Sequence, residues 1–290
     1  MQILHSLHLI NNLRRDVTDH KGTSGKLVII GGASTMSGSI ALAGLGALYT
    51  GSGWVKLIPL DPDFPNLIDP SPELMIYHPG QRSPAEILQE IKPDVIVIGP
   101  GLGQSASSLA WLEATLEYQS PLVIDADGLN LLSQHPELHE PICNRSHRIV
   151  MTPHPGEAGR LLHSSSQVMQ SDRMLAMKQL IAQYQAIVIL KGHHSLVGMP
   201  AQDVLTCISG NSGMACAGMG DVLSGALGSF IAQGLHHNLS TWQAACLAVE
   251  VHARAGDLLV EKGIGPIGMT PSELAKEMRT IVNSSSKQSS

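Results

Sequence analysis

Several features that mark particular classes of protein are scarce in this 290-residue sequence. Aromatic residues make up only 3% of it, and its four cysteines include no CxxC pair. Neither a disulfide framework nor a cysteine zinc site is expected, and a reducing compartment fits best. The fourteen histidines show no HExxH motif, which argues against a histidine metal site. The formal net charge of −6 provides no basic stripe, so nucleic-acid binding is not expected.

Targeting and membrane signals are also missing. The N-terminal stretch MQILHSLHLINNLRRDVTDHKG has no basic start followed by an apolar run and a small-residue cleavage site, so it does not resemble a signal peptide. The apolar stretch 40–55 is interrupted by glycines and is too short to cross a bilayer. We therefore expect a soluble, cytoplasmic protein without a membrane partner.

The sequence does contain a regular alternation of buried strands and helices. Most strand-like runs lack polar alternation, which is typical of strands covered on both faces in a parallel sheet. The predicted strands are 26–32, 53–59, 94–101, 121–127, 148–156 and 186–192. The predicted helices are 37–50, 84–91, 105–118, 157–162, 168–184, 221–234, 241–261 and 271–282, and a hairpin-like stretch spans 194–209. We predict one α/β domain over 1–282, a layered sandwich with a mostly parallel central sheet, and a disordered polar tail over 283–290.

Glycine and polar residues collect where the predicted strands end. In parallel α/β sheets, ligands bind beyond the carboxyl ends of the strands, so these residues predict a cleft. They are Gly31-Gly32, Gly99-Pro100-Gly101, Asp125-Ala126-Asp127, Thr152-Pro153-His154 and Lys191-Gly192.

The stretch GNSGMACAGMGDVLSGALG, residues 210–228, joins a glycine-rich loop to an apolar helix at Asp221. Free N–H groups at a helix start, with glycines that allow close approach, form an anion site. A carboxylate there repels a phosphate, but it could accept the proton of a hydroxyl that is being phosphorylated. An Asp N-cap explains the stretch equally well. No GxxxxGK[ST] motif is present, so a P-loop is not indicated. The glycines of GGASTMSG after the first predicted strand do not have GxGxxG spacing, so a Rossmann site is only weakly supported.

Six segments together resemble the NAD(P)H-hydrate dehydratases of the ribokinase-like superfamily. They occur in the family's order and span roughly residues 20–269. The segments are HKGTSGKLVIIGGASTMSGS, VIGPGLG, VIDADGLNLL, TPHPGE, VILKG and GNSGMACAGMGDVLSGALGSFIAQG. The resemblance implies a ribokinase-like three-layer α/β/α sandwich.

The same resemblance implies a repair enzyme for hydrated NADH and NADPH. Such an enzyme phosphorylates the ring hydroxyl with ADP or ATP in the presence of Mg²⁺, and elimination of phosphate restores the reduced dinucleotide. It implies a homo-oligomer, with a tetramer as the family's form, and a separate NAD(P)HX epimerase in the same pathway. ADP is favoured as donor, while ATP and the choice between the two hydrated dinucleotides stay open.

The resemblance also assigns roles to individual residues. It implies a catalytic base and its anion hole at Asp221, Gly218 and Gly220. Substrate contacts are implied at Ser39, Gly101, Gly103, Asp127, His154 and Asn211. Nucleotide contacts are implied at Lys191, Gly192, His193, His194, Ser195 and Gly220. Glu157 would lie near the magnesium ion through water.

Some choices stay open at this point. Either Asp125 or Asp127 could line the site while the other caps the next turn. Ser39 replaces a common alanine, and Met219 is bulkier than the residue usual between the two glycines. A ribokinase-like kinase for a thiazole or hydroxymethylpyrimidine alcohol is the alternative enzyme, and a non-catalytic nucleotide-binding sensor is the alternative outside catalysis.

Overall fold

A ten-stranded sheet runs through the middle of the chain. The computed structural model describes residues 2–68, 71–145 and 148–284. The strands are β1 (Gln2–Ile3), β2 (Lys26–Gly31), β3 (Trp54–Pro59), β4 (Met75–Ile76), β5 (Val95–Ile98), β6 (Leu122–Ile124), β7 (Ile149–Met151), β8 (Ile187–Leu190), β9 (Leu196–Gly198) and β10 (Leu205–Thr206). Their order is β1-β10-β9-β8-β7-β6-β5-β2-β3-β4. Every pair from β8 to β4 is parallel, and β9 alone runs against its neighbours, so the prediction of a mostly parallel sheet is confirmed.

Helices cover both faces of the sheet. They are α1 (Ser37–Tyr49), α2 (Pro84–Ile91), α3 (Ala106–Glu117), α4 (Ala126–Gln134), α5 (His139–Cys143), α6 (Pro155–Leu161), α7 (Ser166–Ser171), α8 (Arg173–Tyr184), α9 (Met219–Gly234), α10 (Thr241–Glu261) and α11 (Pro271–Ser284). Shorter 3₁₀ helices span Leu7–Leu13, Pro136–Leu138 and Ser212–Met214. One apolar core joins the sheet to α1, α9, α10 and α11, and the other joins it to α2 through α8. The predicted three-layer sandwich is therefore confirmed.

The strand order reverses between β2 and β5, and this reversal places the cleft. From β2 the chain moves to β3 and β4 on one side, and β5 then pairs with β2 on the other. At such a point the connections that follow the two neighbouring strands run over opposite faces of the sheet. A crevice therefore opens between them at the carboxyl ends of the strands. Gly31 ends β2 there, so close to the next loop that a Cβ on it would lie 2.0 Å from the Pro100 carbonyl oxygen.

Helix α9 is buried along nearly its whole length because its backbone packs directly against that of α1. A Cβ on Gly225 would lie 1.8 Å from the Ala43 oxygen, and one on Gly46 would lie 2.2 Å from the Val222 oxygen. Only glycine permits this approach at both positions. The contact fixes where α9 begins, at the carboxyl end of the sheet.

Several elements differ from their predicted bounds. The predicted helix 168–184 is two helices, because Asp172 accepts a hydrogen bond from the Leu175 N–H and starts α8 anew. Helices α4 and α5 were not predicted, and the two-residue strands β1 and β4 are too short to show a period. Helix α11 includes residues 283 and 284 of the predicted tail, and 285–290 lie outside the described residues. Within the described ranges, no helix has both the length and the apolar character needed to span a membrane.

The α1–α9 contact predicts that Gly225→Ala destabilises the protein by about 1–3 kcal/mol, since the added methyl overlaps the Ala43 carbonyl. Gly38→Ala is the matched control, because a Cβ at this α1 position meets open space. The control should leave stability unchanged or raise it by up to about 1 kcal/mol. Urea unfolding followed by circular dichroism measures both, and equal midpoints would contradict the close packing.

Candidate active site

Four charged side chains from different elements meet at the carboxyl end of the sheet. Asp125 follows β6, Lys191 follows β8, Glu157 lies in the first turn of α6 and Asp221 lies in the first turn of α9. The Lys191 Nζ lies 2.7 Å from Asp125 Oδ1 and 3.8 Å from Glu157 Oε2. We call these four residues the charged cluster.

Asp125 and Lys191 form the buried ion pair of this cluster. Burial alone would raise the pKa of Asp125, but the positive charge of Lys191 and hydrogen bonds from Lys191 and Ser224 hold it below its ordinary value. The Ser224 hydroxyl donates to Asp125 Oδ2 over 2.6 Å. Burial opposes the charge on Lys191, yet Asp125 and Glu157 hold its pKa above the ordinary value. Both partners are therefore ionised.

The other two carboxylates are left without full compensation. Burial and the negative charge of Asp125 raise the pKa of Asp221 to about 7, against the effects of Ser39 and Lys191. Burial raises the pKa of Glu157 to about 6, with Lys191 opposing and Asp125 adding to the shift. Three carboxylates share one ammonium group, so Asp221 and Glu157 have pKa values near neutral pH.

Asp221 is not the N-cap of its helix. Helix α9 begins at Met219, and its N-cap is Gly218, with a φ of 91°. The N-cap interpretation of Asp221 is therefore wrong, because the helix starts two residues earlier than predicted. Asp221 instead lies in the first turn of α9, where the Ser39 side chain opposes the rise in its pKa.

The start of α9 forms a backbone cradle. In the described part of the chain, no side chain caps this helix. The Met219 N–H donates to the Cys216 carbonyl at 3.4 Å, and the N–H groups that follow lie at the positive end of the helix dipole beside the cleft. Gly220 lies at the charged cluster, because a Cβ on it would be 3.3 Å from Lys191 Nζ. The bulky Met219 side chain does not obstruct the cradle, since it is buried in the core beneath α9.

A cavity of about 560 Å³ opens on one side of the cradle. It is lined by the predicted nucleotide-binding residues Lys191, Gly192, His193, His194, Ser195 and Gly220. Asn211, predicted as a substrate contact, also lines this cavity. Arg173 braces its rim by donating to the carbonyls of His193 and His194.

Helix α10 supplies a wall of this cavity that the sequence did not reveal. Val249, His252 and Ala253 line the cavity. Asp257, one turn further, accepts hydrogen bonds from the Gly210 N–H at 2.9 Å and from Asn211 Nδ2 at 3.2 Å. The sequence of α10 gives no sign of these contacts, because they join residues far apart in the chain.

A second cavity of about 340 Å³ lies on the other side of the cradle. Among the residues that line this cavity but not the first are Asp125, His154, Glu157, Gly218 and Asp221. Both cavities share five lining residues, which are Lys191, Met214, Ala215, Met219 and Gly220. Ligands in the two cavities would therefore meet beside Lys191 and Gly220, with Asp221 on the side of the second.

His154 is held as a hydrogen-bond donor toward this second cavity. Its Nδ1 caps α6 by accepting from the N–H groups of Gly156 at 2.9 Å and Glu157 at 3.4 Å. Burial and the charges of Lys191 and Arg160 lower its pKa, so the neutral ring carries its proton on Nε2. That nitrogen lies 3.3 Å from Glu157 Oε1.

The two aspartates after β6 have different partners. Asp125 belongs to the charged cluster, whereas Asp127 accepts from the Gly103 N–H at 2.9 Å and from Asn130 Nδ2 at 3.1 Å. Asp127 therefore shapes the glycine loop. In that loop Gly101 packs against the start of α1, where a Cβ on it would lie 3.2 Å from Ser39 Cβ. The predicted substrate residues Ser39, Gly101, Gly103 and Asp127 thus form one connected rim.

The donor set for a metal ion is sparse. Among the described residues, no group of three or more His, Cys, Asp or Glu side chains could hold an ion by itself. Mg²⁺ needs only one or two carboxylates when nucleotide phosphates and waters complete its shell. Glu157 fits that requirement, because it lines the second cavity and Lys191 lies 3.8 Å from it, whereas both oxygens of Asp125 already accept hydrogen bonds from Lys191 and Ser224.

Comparison with known proteins identifies what the chain is similar to. Residues 27–280 match the family profile described as NAD(P)H-hydrate dehydratase. The chain is 35% identical to the ADP-dependent (S)-NAD(P)H-hydrate dehydratase of Neisseria meningitidis, over 91% of this chain and 87% of the relative. It is 38% identical to the bifunctional NAD(P)H-hydrate repair enzyme Nnr of Escherichia coli, over 93% of this chain. The match covers 50% of that relative, so the chain spans about half the length of the bifunctional proteins.

A solved structure agrees with these matches. The ADP/ATP-dependent NAD(P)H-hydrate dehydratase of Bacillus subtilis, co-crystallised with ATP and Mg²⁺, superposes with a TM-score of 0.81. The two chains are 26% identical, and the alignment covers 97% of each.

The crowded carboxylates predict that Asp221→Asn stabilises the protein above neutral pH. The pKa of Asp221 rises from 3.8 to about 7 on folding, so between these values the folded state binds more protons and stability falls as pH rises. We expect a gain of about 1–2 kcal/mol at pH 8, since water in the open cleft screens part of the repulsion, and a smaller gain at pH 5.

Urea unfolding at the two pH values measures this gain. Asp63→Asn, in an exposed loop, controls for the loss of one carboxylate elsewhere. An Asp221→Asn gain no larger at pH 8 than at pH 5 would contradict the charge imbalance.

Proposed function

The chain belongs to the NAD(P)H-hydrate dehydratase family, and on that premise we propose that it uses ADP to dehydrate hydrated NADH and NADPH. The observation that carries the proposal is the position of Asp221. This carboxylate, with a pKa of about 7, stands beside a helix N-terminus where two cavities meet. Such a junction suits transfer of a phosphoryl group from one ligand to a hydroxyl of another.

The larger cavity takes the adenine nucleotide. Its phosphates point to the cradle of Gly218 to Gly220, where the helix dipole and the N–H groups that begin α9 favour negative charge. Lys191 lies at the same point and neutralises the phosphate oxygens. The cradle therefore stabilises the charge that develops on the transferred group.

The smaller cavity takes the hydrated nicotinamide ring. His154 presents its Nε2–H to the substrate, and Asp221 accepts the proton of the ring hydroxyl as that oxygen attacks the terminal phosphorus. Ser39, whose side chain lowers the pKa of Asp221, would orient the carboxylate once substrate is bound. A base with a pKa near 7 is ionised often enough at neutral pH and still accepts the proton readily.

Phosphorylation prepares the second step. Hydroxide is a poor leaving group, whereas phosphate leaves readily with the electron pair of the carbon–oxygen bond. Loss of a proton from the neighbouring ring carbon then forms the double bond of the reduced nicotinamide. The products are NADH or NADPH, inorganic phosphate and AMP when ADP is the donor, or ADP when ATP is the donor.

Glu157 would hold Mg²⁺ through water, together with the nucleotide phosphates. When bound, the ion neutralises phosphate charge that the single ammonium of Lys191 cannot balance. The Asp125–Lys191 pair keeps one carboxylate ionised beside it. The B. subtilis enzyme was co-crystallised with ATP and Mg²⁺, and this supports the metal part of the proposal.

We extend the proposal to the setting of the enzyme. The bifunctional names of several relatives support a partner activity in the same repair pathway, which we propose to be a separate NAD(P)HX epimerase. We also propose that the enzyme is cytoplasmic and that it forms a homo-oligomer, with a tetramer as the expected form.

The direct test incubates the protein with hydrated NADH, MgCl₂ and either ADP or ATP, and follows the absorbance of reduced nicotinamide. We expect recovery with ADP, release of AMP and phosphate, and loss of the rate when EDTA removes the metal. The same assay with ATP and with hydrated NADPH measures donor and substrate preference. A stable phosphorylated product without recovery would indicate a kinase, and nucleotide binding without any turnover would indicate a sensor.

Replacement of the proposed base separates catalysis from binding. Asp221→Asn should lower kcat by about 10²–10⁴-fold, because the hydroxyl loses its proton acceptor, while ADP still binds in calorimetry. In the wild type, kcat/KM should rise with pH through about 7 as Asp221 ionises. Asp127→Asn makes the same chemical change in a carboxylate that braces the glycine loop, and should lower kcat far less. Near-normal turnover of Asp221→Asn would rule out the base.

A further inference from the structure

His252 lies behind the first turn of α9, on the neighbouring helix α10. Its ring is buried, and its Nε2 lies 2.9 Å from the carbonyl oxygen of Met219. It also lines the larger cavity beside Val249 and Ala253. A buried histidine bonded to the backbone of the proposed phosphate cradle has a geometry that core packing alone does not require.

The chemistry of this contact fixes the state of the ring. A carbonyl oxygen only accepts hydrogen bonds, so Nε2 of His252 carries the proton and donates it. Burial and the charge of Lys191 lower the pKa of His252 to about 4, even though the bond to Met219 favours the charged form. The imidazole is therefore neutral at physiological pH and acts as a fixed donor.

The bonded carbonyl belongs to the peptide unit that also contains the Gly220 N–H. A hydrogen bond to the oxygen of a peptide polarises its N–H and makes that group a stronger donor. It also holds the plane of the peptide from the side of α10, in addition to the local bonds from the Met219 N–H to the Cys216 carbonyl and from the Val222 N–H to the Gly218 carbonyl. The N-cap of α9 is Gly218 with a φ of 91°, and within the described residues no side chain caps the helix.

We propose that His252 is a positioning residue for phosphoryl transfer, acting through the Met219–Gly220 peptide. This inference rests on the proposed function, in which that N–H faces the transferred phosphoryl group. His252 touches no reacting atom in this role. It keeps the N–H of Gly220 aimed and polarised before the nucleotide arrives, so that no reorganisation is needed during transfer.

A matched pair of variants separates the effect of the hydrogen-bond donor at position 252 from the effect of the side-chain volume there. His252→Gln can place an amide N–H near the position of Nε2, whereas His252→Leu fills similar space without a donor. We expect His252→Leu to lower kcat about tenfold, less than the roughly 10²–10³-fold loss when a direct oxyanion donor is removed. KM for ADP should change less than kcat, and His252→Gln should recover most of the rate.

One NMR signal reports on the peptide itself. Met219 is the only one of the twelve methionines that is followed by glycine. Labelling with carbonyl-¹³C methionine and ¹⁵N glycine therefore gives a single coupled signal, from the Met219–Gly220 peptide. His252→Leu should shift this signal, and His252→Gln should leave it close to the wild-type position. Thermal unfolding of both variants shows whether any loss of rate follows a general loss of stability.

The outcomes distinguish this inference from the proposed function. A wild-type protein inactive on hydrated NADH would overturn the proposed function and this inference with it. An active wild type with equal kcat for the leucine and glutamine variants would overturn the positioning role alone. A loss of rate that parallels the loss of thermal stability in both variants, with an unmoved peptide signal, would also overturn it.

Discussion

The buried ion pair of Asp125 and Lys191 is the interaction on which the chemistry of the cleft depends. Its atoms lie 2.7 Å apart, and Ser224 occupies the second oxygen of the carboxylate. One ammonium can neutralise only one carboxylate at this distance, so Glu157 and Asp221 are left in a region of excess negative charge. Their pKa values rise to about 6 and about 7 for that reason together with burial. The raised pKa of Asp221 thus follows from burial and from the negative charge that the ion pair leaves unbalanced.

The fold brings these groups together by two constraints of packing. Parallel strands deliver Asp125 and Lys191 to the same edge of the sheet, because both follow strands that run in one direction. Helix α9 arrives from the other layer, and its close contact with α1 through Gly46 and Gly225 sets its depth. The uncapped N-terminus of α9 then lies opposite the ion pair. Neither layer contains the site alone.

Much of this arrangement could be predicted from the sequence. Uninterrupted apolar runs such as 26–32 and 186–192 indicate a parallel sheet, and the glycines before Asp221 indicate an anion site. The roles of Asp125 and Asp127 could not be separated, because the residues lie two positions apart and only tertiary contacts distinguish them. The start of α9 at Met219 was also missed, since Gly218 with its positive φ replaces a polar cap.

The contacts of α10 show why the site cannot be predicted completely from a sequence pattern. This helix packs an apolar face into the core, yet His252 bonds to the first residue of α9, 33 residues away. Asp257 bonds to the loop at 210–211, which is 46–47 residues away. Such long-range hydrogen bonds leave no periodic pattern in the sequence. A buried polar side chain must nevertheless find a partner, because leaving it unpaired costs about 1–3 kcal/mol. In this protein the partners are the Met219 carbonyl, the Gly210 N–H and the Asn211 side chain, so polar residues of a core helix help to shape the cleft.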